Sequence, residues 1–222
     1  MYRYVKRFFD LVASGLALLL LLPFFLVIIV LLKGSGEGEV FYLQKRIGYR
    51  KRYFFIYKFA TMLKNSLNMS SGSITLRNDP RVTPVGKYLR ITKLNELPQV
   101  INVLKGDMSI VGPRPLVDKT FNAYSSAIRD KVYNTKPGIT GIGSIVFRDE
   151  EALISTSGKP PHEFYEQFIA PYKGELEIWY QQHQSFWVDL LIIFLTGWVI
   201  LFPKSRLTYK IFSDLPKRTS TL

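Results

Sequence analysis

The sequence predicts a mostly helical α/β chain organised on a membrane: a re-entrant apolar helix over residues 1–33, a compact domain over 34–203 with interfacial amphipathic helices, and a basic tail over 204–222. Three observations carry that prediction. Leu11 to Leu32 is almost wholly apolar and holds no charge, long enough to cross a bilayer as a helix, yet Pro23 interrupts it. Phe41 to Met62 reads as two extended aromatic pieces around a basic turn. Leu97, Val100, Ile101 and Leu104 recur at i, i+3, i+4 and i+7, one face of a helix.

The apolar run is flanked by cations on both sides: Arg3, Lys6 and Arg7 before it, Lys33, Lys45, Arg46, Arg50, Lys51 and Arg52 after it. Lys and Arg beside a membrane segment favour the cytoplasm, so both ends want one side. A helix that enters, bends at Pro23 and returns satisfies this, where a simple span does not. No small-residue cleavage site follows the run, which argues against a signal peptide. The net charge of +13 in 222 residues fits an anionic membrane surface or an anionic lipid better than nucleic acid, because hydrophobic runs accompany it. There is no cysteine, which excludes disulfides, thiolate chemistry and Cys-based metal sites. His162 and His183 lie in unrelated contexts and are read as surface or packing residues.

The next elements follow in order. Gly34 to Glu39 is an exit turn, and Lys58 stands among aromatics in the second extended piece, placed to meet a phosphate. Asn65 to Ser73 is a polar loop. The central stretch, Gly86 to Pro115, contains a helix starting near Asn95, with Asn95 as N-cap, Pro98 in the first turn and Gly106 at the end. Pro113 and Pro115 hold the backbone of Arg114 extended and present its guanidinium from a stiff loop. A helix N-terminus facing a fixed arginine suits phosphate, with Arg90 as a second contact. Leu116 to Asn134 reads as an amphipathic helix. Asp149-Glu150-Glu151 marks a helix start, and His162 to Gln184 continues helical. Phe186 to Phe202 is a second apolar run, interrupted by Asp189 and short for a span, so an in-plane or packed helix is expected. The tail from Pro203 reads as loosely ordered.

The segment Thr92 to Pro115, TKLNELPQVINVLKGDMSIVGPRP, resembles the signature of the bacterial sugar transferases, the small monotopic phosphoglycosyl transferases that act on polyprenyl phosphate. Further matches are Gln44, Arg46 and Gly48; Lys58, Phe59, Thr61 and Met62; Asp79 to Gly86; Lys136 to Gly143; and Ser185, Asp189 and Leu190. The resemblance implies transfer of a sugar 1-phosphate from a UDP-sugar to polyprenyl (undecaprenyl) phosphate, with UMP leaving, as the first step of glycan assembly. It implies a re-entrant helix in the inner membrane and a catalytic domain facing the cytoplasm. Lys58, Arg90, Arg114 and Arg148 are the implied cations around the diphosphate, and Mg2+ held by Glu96 would add charge. Anionic lipids are implied partners, nucleic acid is not, and a homodimer is admitted. The sequence departs from the family at telling places. The family's aspartate nucleophile falls on Asn95, while its glutamate partner is present as Glu96. The family serine before Pro23 is Leu22, and the glutamine and glycine preceding Arg148 are Ser144 and Phe147. Asn95 leaves three readings open: an enzyme with a shifted mechanism, using Glu96 or direct attack by the lipid phosphate; a variant that binds substrates but turns over poorly; and a non-catalytic membrane scaffold.

Overall fold

A computed structural model describes residues 2–35, 37–68 and 79–217. The chain opens with a single long helix, α1 (Tyr2–Lys33), which contains Pro23. It is long and apolar enough to cross a membrane. Both of its ends rest on the rest of the molecule. Near the start, Tyr2 Oη and Lys6 Nζ donate to Asp189 Oδ2 at 2.8 and 2.6 Å. Arg7 donates to the carbonyl oxygens of Val103 and Leu104 at 2.6 and 2.9 Å. The buried carboxylate of Asp10 accepts from Ser109 Oγ and the Ile110 N–H at 3.0 and 2.9 Å. Near the end, Phe25, Ile28 and Leu32 join a buried cluster with Phe59, Leu89 and Val100. Leu19, Leu20, Phe24, Val27 and Val30 are exposed, so the helix offers an apolar outer face.

The two aromatic pieces form an antiparallel hairpin, β1 (Phe41–Ile47) and β2 (Tyr53–Phe59), with Gln44 opposite Ile56 and Tyr42 opposite Lys58. A short helix, α2 (Pro84–Ile91), follows; Thr83 caps it by accepting from the Gly86 N–H. Next come a 3-10 turn (Leu94–Glu96) and α3 (Gln99–Lys105). Gly106 ends α3 with φ 90°, a left-handed conformation natural to glycine. Strand β3 (Ser109–Val111) then pairs in parallel with β4 (Gly138–Thr140). Between them lie α4 (Asp118–Asn122) and α5 (Ser126–Lys131). Gly112 extends the β3–β4 pairing by donating to Thr140 C=O at 2.9 Å. A Cβ at Gly112 would fall 2.3 Å from the Lys136 carbonyl oxygen, so only glycine lets the two chains meet there.

After β4 the chain is helical: α6 (Ile142–Val146), α7 (Glu150–Thr156), α8 (Pro161–Phe164), a π turn (Tyr165–Ile169), α9 (Ala170–Gln182), α10 (Phe186–Leu201) and α11 (Leu207–Ile211). The main core gathers Val111, Tyr133, Ile142, Tyr165, Leu176, Tyr180, Ile192 and Leu195. The fold is therefore mostly helical with two small sheets.

Three expectations need correction. Helix α3 begins four residues after Asn95, and Asn95 is no cap. A cap at Asn95 would need the N–H groups of Leu97 and residue 98, but Pro98 has none and Leu97 N–H already bonds Leu94 C=O at 3.2 Å. The predicted apolar face is present, and the helix buries a second side as well. Val100 is buried, with Leu97 and Ile101 packed around it, while the fully buried Val103 stands in a second cluster with Ile56 and Met108. Residues 116–134 form two short helices rather than one, because Ser125 starts a new helix by accepting from the Ile128 N–H. The tail is packed as far as residue 217: Phe212 and Leu215 are buried, and Trp179 Nε1 donates to Asp214 Oδ2 at 2.8 Å. The expected loop over 65–73 begins in a 3-10 turn (Lys64–Asn68), and its remainder, 69–73, lies outside the described residues, as do 74–78 and 218–222.

Candidate active site

Between the hairpin, the 3-10 turn and the loop after β3, a single carboxylate collects three cations. Glu96 ends the 3-10 turn, which winds tightly because Pro98 removes a donor and Lys93 enters left-handed at φ 60°. Arg114 Nη2 donates to Glu96 Oε1 at 2.7 Å and Nη1 to Oε2 at 3.3 Å. Lys58 Nζ donates to Oε1 at 3.2 Å. Arg46 stands next to them. Its side chain is bonded to Gln44 Oε1 and, at 3.1 Å, to the Pro115 carbonyl oxygen, and its charge is felt by Lys58, Arg114 and Glu96.

The electrostatics follow from this crowding. Burial works against the charge of Glu96, but Arg114 and then Lys58 hold its carboxyl well below the usual carboxylate range. Glu96 in turn raises Arg114 above its ordinary value. Burial pushes Lys58 down to about 8; Arg46 and Arg114 push the same way and Glu96 opposes them. Burial, reinforced by Arg114, lowers Arg46 to about 10. Arg46, Lys58 and Arg114 outnumber the one carboxylate they gather around, Glu96. A low-dielectric surface with surplus cations is a site for a polyanion.

Asn95 lies beside this cluster, buried at 6% exposure, and its Oδ1 has no hydrogen-bond partner among the described residues. Mg2+ held by Glu96 does not fit the arrangement. Both oxygens of Glu96 are committed to cations, and a divalent ion there would face Lys58 and Arg114. Among the described residues no three His, Cys, Asp or Glu side chains gather to hold a metal.

The four expected phosphate contacts divide into two pairs. Lys58 and Arg114 come together at Glu96. Arg90 and Arg148 do not join them: Arg90 pairs with Glu151 at 2.9 Å, and Arg148 donates to the Val199 carbonyl oxygen near the end of α10. Sequence reading matched Arg46 to a family motif with Gln44 and Gly48 but gave it no place in the site. It also passed over Tyr133, whose Oη donates to the Arg114 carbonyl oxygen at 2.8 Å and accepts from the Leu116 N–H at 2.9 Å. Nothing in the local sequence announces Tyr133, because it reaches the loop from nineteen residues away.

A long helix with an exposed apolar face fits association with a membrane. The bacterial sugar transferase profile matches residues 1–203, and the chain belongs to the bacterial sugar transferase family. Its relatives include the exopolysaccharide production protein ExoY of Rhizobium meliloti, 36% identical over 86% of this chain and 83% of the relative. A UDP-N-acetylgalactosamine-undecaprenyl-phosphate N-acetylgalactosaminephosphotransferase of Aeromonas hydrophila is 36% identical over 90% of this chain and 44% of the relative. An undecaprenyl-phosphate glucose phosphotransferase of Komagataeibacter xylinus is 34% identical over 86% of this chain and 35% of the relative. The chain thus spans most of the first relative and less than half of the other two.

Proposed function

We propose that this protein transfers a sugar 1-phosphate from a UDP-sugar to undecaprenyl phosphate at the inner face of the cell membrane, releasing UMP as the first step in building a glycan. The observation that carries this reading is the cluster of Arg46, Lys58 and Arg114 around Glu96, in which cations outnumber the shared carboxylate. The diphosphate of a UDP-sugar brings one negative charge per phosphate. The names of the Aeromonas and Komagataeibacter relatives support the choice of substrates.

In the proposed reaction, Arg114 and Lys58 bind the diphosphate and offset the charge that grows on the bridging oxygen as UMP leaves. An oxygen of undecaprenyl phosphate attacks the β-phosphorus in line, forming the new P–O bond as the bond to the bridging oxygen breaks. Direct attack is favoured because Asn95 is a neutral amide and Glu96 is held by Arg114 and Lys58. The catalytic pair Asn95 and Glu96 then acts without a covalent intermediate. Glu96 orients the two cations, and Asn95, its neighbour in the chain, keeps a buried amide oxygen without a hydrogen-bond partner among the described residues.

The membrane helix is proposed to be re-entrant, bent at Pro23, with the catalytic domain on the cytoplasmic side. Contacts of Tyr2, Lys6, Arg7 and Asp10 at one end, and of Phe25, Ile28 and Leu32 at the other, with the same domain support this. Exposed Trp187, Phe194 and Leu201 on α10 support an in-plane helix beside it. The test is UMP release from a panel of UDP-sugars with and without undecaprenyl phosphate. Release from at least one sugar that requires the lipid is expected; no release from any would sink the proposal.

A further inference from the structure

Helix α3 carries a polar side chain that finishes the β1–β2 hairpin. Phe55 and Tyr57 stand two apart on β2, so their backbone groups face one edge of the strand, the edge away from β1. Among the described residues no third strand meets that edge. Asn102 meets it instead. Tyr57 N–H donates to Asn102 Oδ1 at 3.0 Å, and Asn102 Nδ2 donates to the Phe55 carbonyl oxygen at 2.8 Å. One side-chain amide thus makes the pair of bonds that another strand would make. Asn102 is fully buried, and its Nδ2 also lies 3.5 Å from Asp107 Oδ2. Its own carbonyl oxygen accepts from the N–H groups of Gly106, Asp107 and Met108 at 3.1, 3.0 and 3.2 Å, which ties it to the turn that leads into β3. An apolar side chain of the same shape would fill the space but leave both β2 groups unpaired, so packing alone gives no reason for an amide here.

The clamp touches both chains that build the cationic centre. Lys58 follows Tyr57 directly, and Glu96 lies in the 3-10 turn that leads into α3. We infer that Asn102 is a positioning residue for Lys58: its two bonds to β2 fix the place and register of that strand against α3, so that the Lys58 ammonium meets Glu96 at 3.2 Å. Register matters because side chains alternate along a strand. A slip of one residue would turn Lys58 to the opposite face, away from Glu96. Ile56 packs with Val103 and Met108 and holds β2 close to α3, but apolar contact is not directional. A two-stranded hairpin by itself is only marginally stable, so its register depends on a tie from outside. For diphosphate binding, the consequence rests on the proposed transferase activity; for the placement of β2, it does not.

Hydrogen exchange of the full-length protein in detergent, read on the peptide covering residues 54–59, tests the clamp without substrate. A peptide covering residues 174–182 of α9 serves as the control for general loosening. Asn102→Ala removes both bonds and leaves a gap, whereas Asn102→Leu removes both bonds and keeps a branched side chain in place. Exchange over 54–59 should quicken at least tenfold in each variant and stay within threefold of the parent over 174–182. Quickening below threefold over 54–59 in either variant, or equal quickening in both peptides, overturns the inference. Turnover separates positioning of Lys58 from a merely structural role. Asn102→Ala should lower kcat/KM at least tenfold in the parent and less than threefold in a Lys58→Met background. Equal losses in both backgrounds overturn the inference as well. If the parent releases no UMP from any sugar, the transferase reading fails and the exchange result still decides this one.

Discussion

Arg114→Lys isolates the value of a planar fork at the cationic centre. Arg114 reaches both oxygens of Glu96, at 2.7 and 3.3 Å, from a loop stiffened by two prolines. Lysine keeps the charge but offers one point of contact, so one charge-assisted hydrogen bond is lost, about 1.5–3 kcal/mol. At about 1.4 kcal/mol per decade, that predicts a fall of roughly 10- to 150-fold in kcat/KM. The assay is initial-rate UMP release from whichever UDP-sugar the parent uses, with undecaprenyl phosphate saturating. A cycle with Glu96→Gln completes the measurement. Once Glu96 is neutral, the fork loses its charged partner and Arg114→Lys should cost clearly less. Arg114→Lys within threefold of the parent would refute the fork as a functional element. Equal losses with and without Glu96 would show that Arg114 acts independently of it.

Three further outcomes are expected. Intact-mass spectrometry of the protein with UDP-sugar and no lipid should show no phosphosugar adduct, and Asn95→Asp should create one and raise the rate; an adduct on the parent that vanishes in Glu96→Gln would make Glu96 the nucleophile after all. Lys58, lowered to about 8 by burial, should lose its proton as pH rises through 8, so UDP affinity should fall between pH 8 and 10. The same shift makes the fold gain stability between pH 8 and the ordinary lysine range, where the unfolded chain binds the extra proton, and Lys58→Arg should flatten both profiles. With no native cysteine, Tyr4→Cys and Ser35→Cys give a clean topology test. Both should label from the same side of sealed vesicles, and opposite-side labelling would establish a spanning helix.

The sequence by itself determined what is local. Apolar length and basic flanks marked α1, aromatic alternation around a basic turn marked the hairpin, and Gly106 stopped α3 where a left-handed residue was needed. The motif around Glu96 and Arg114 was legible because both residues lie within one stretch whose prolines constrain it. Local patterns failed where a neighbour's geometry overruled them. Asn95 has the side chain of a good cap, yet the tight turn and Pro98 leave it no donor to cap.

Only the tertiary structure decided which cations share a site. Lys58 and Arg114 meet because β2 packs against the 3-10 turn, whereas Arg90 and Arg148, equally basic on paper, are drawn to Glu151 and to the end of α10. Charge type is written in the sequence, but charge partnership depends on distance after folding, and electrostatic energy falls with distance and with solvent exposure. Burial tells the same story for Glu177. An acid on an ordinary helix is 1% exposed once α6 packs against it, and that burial pushes its carboxyl up to about 7.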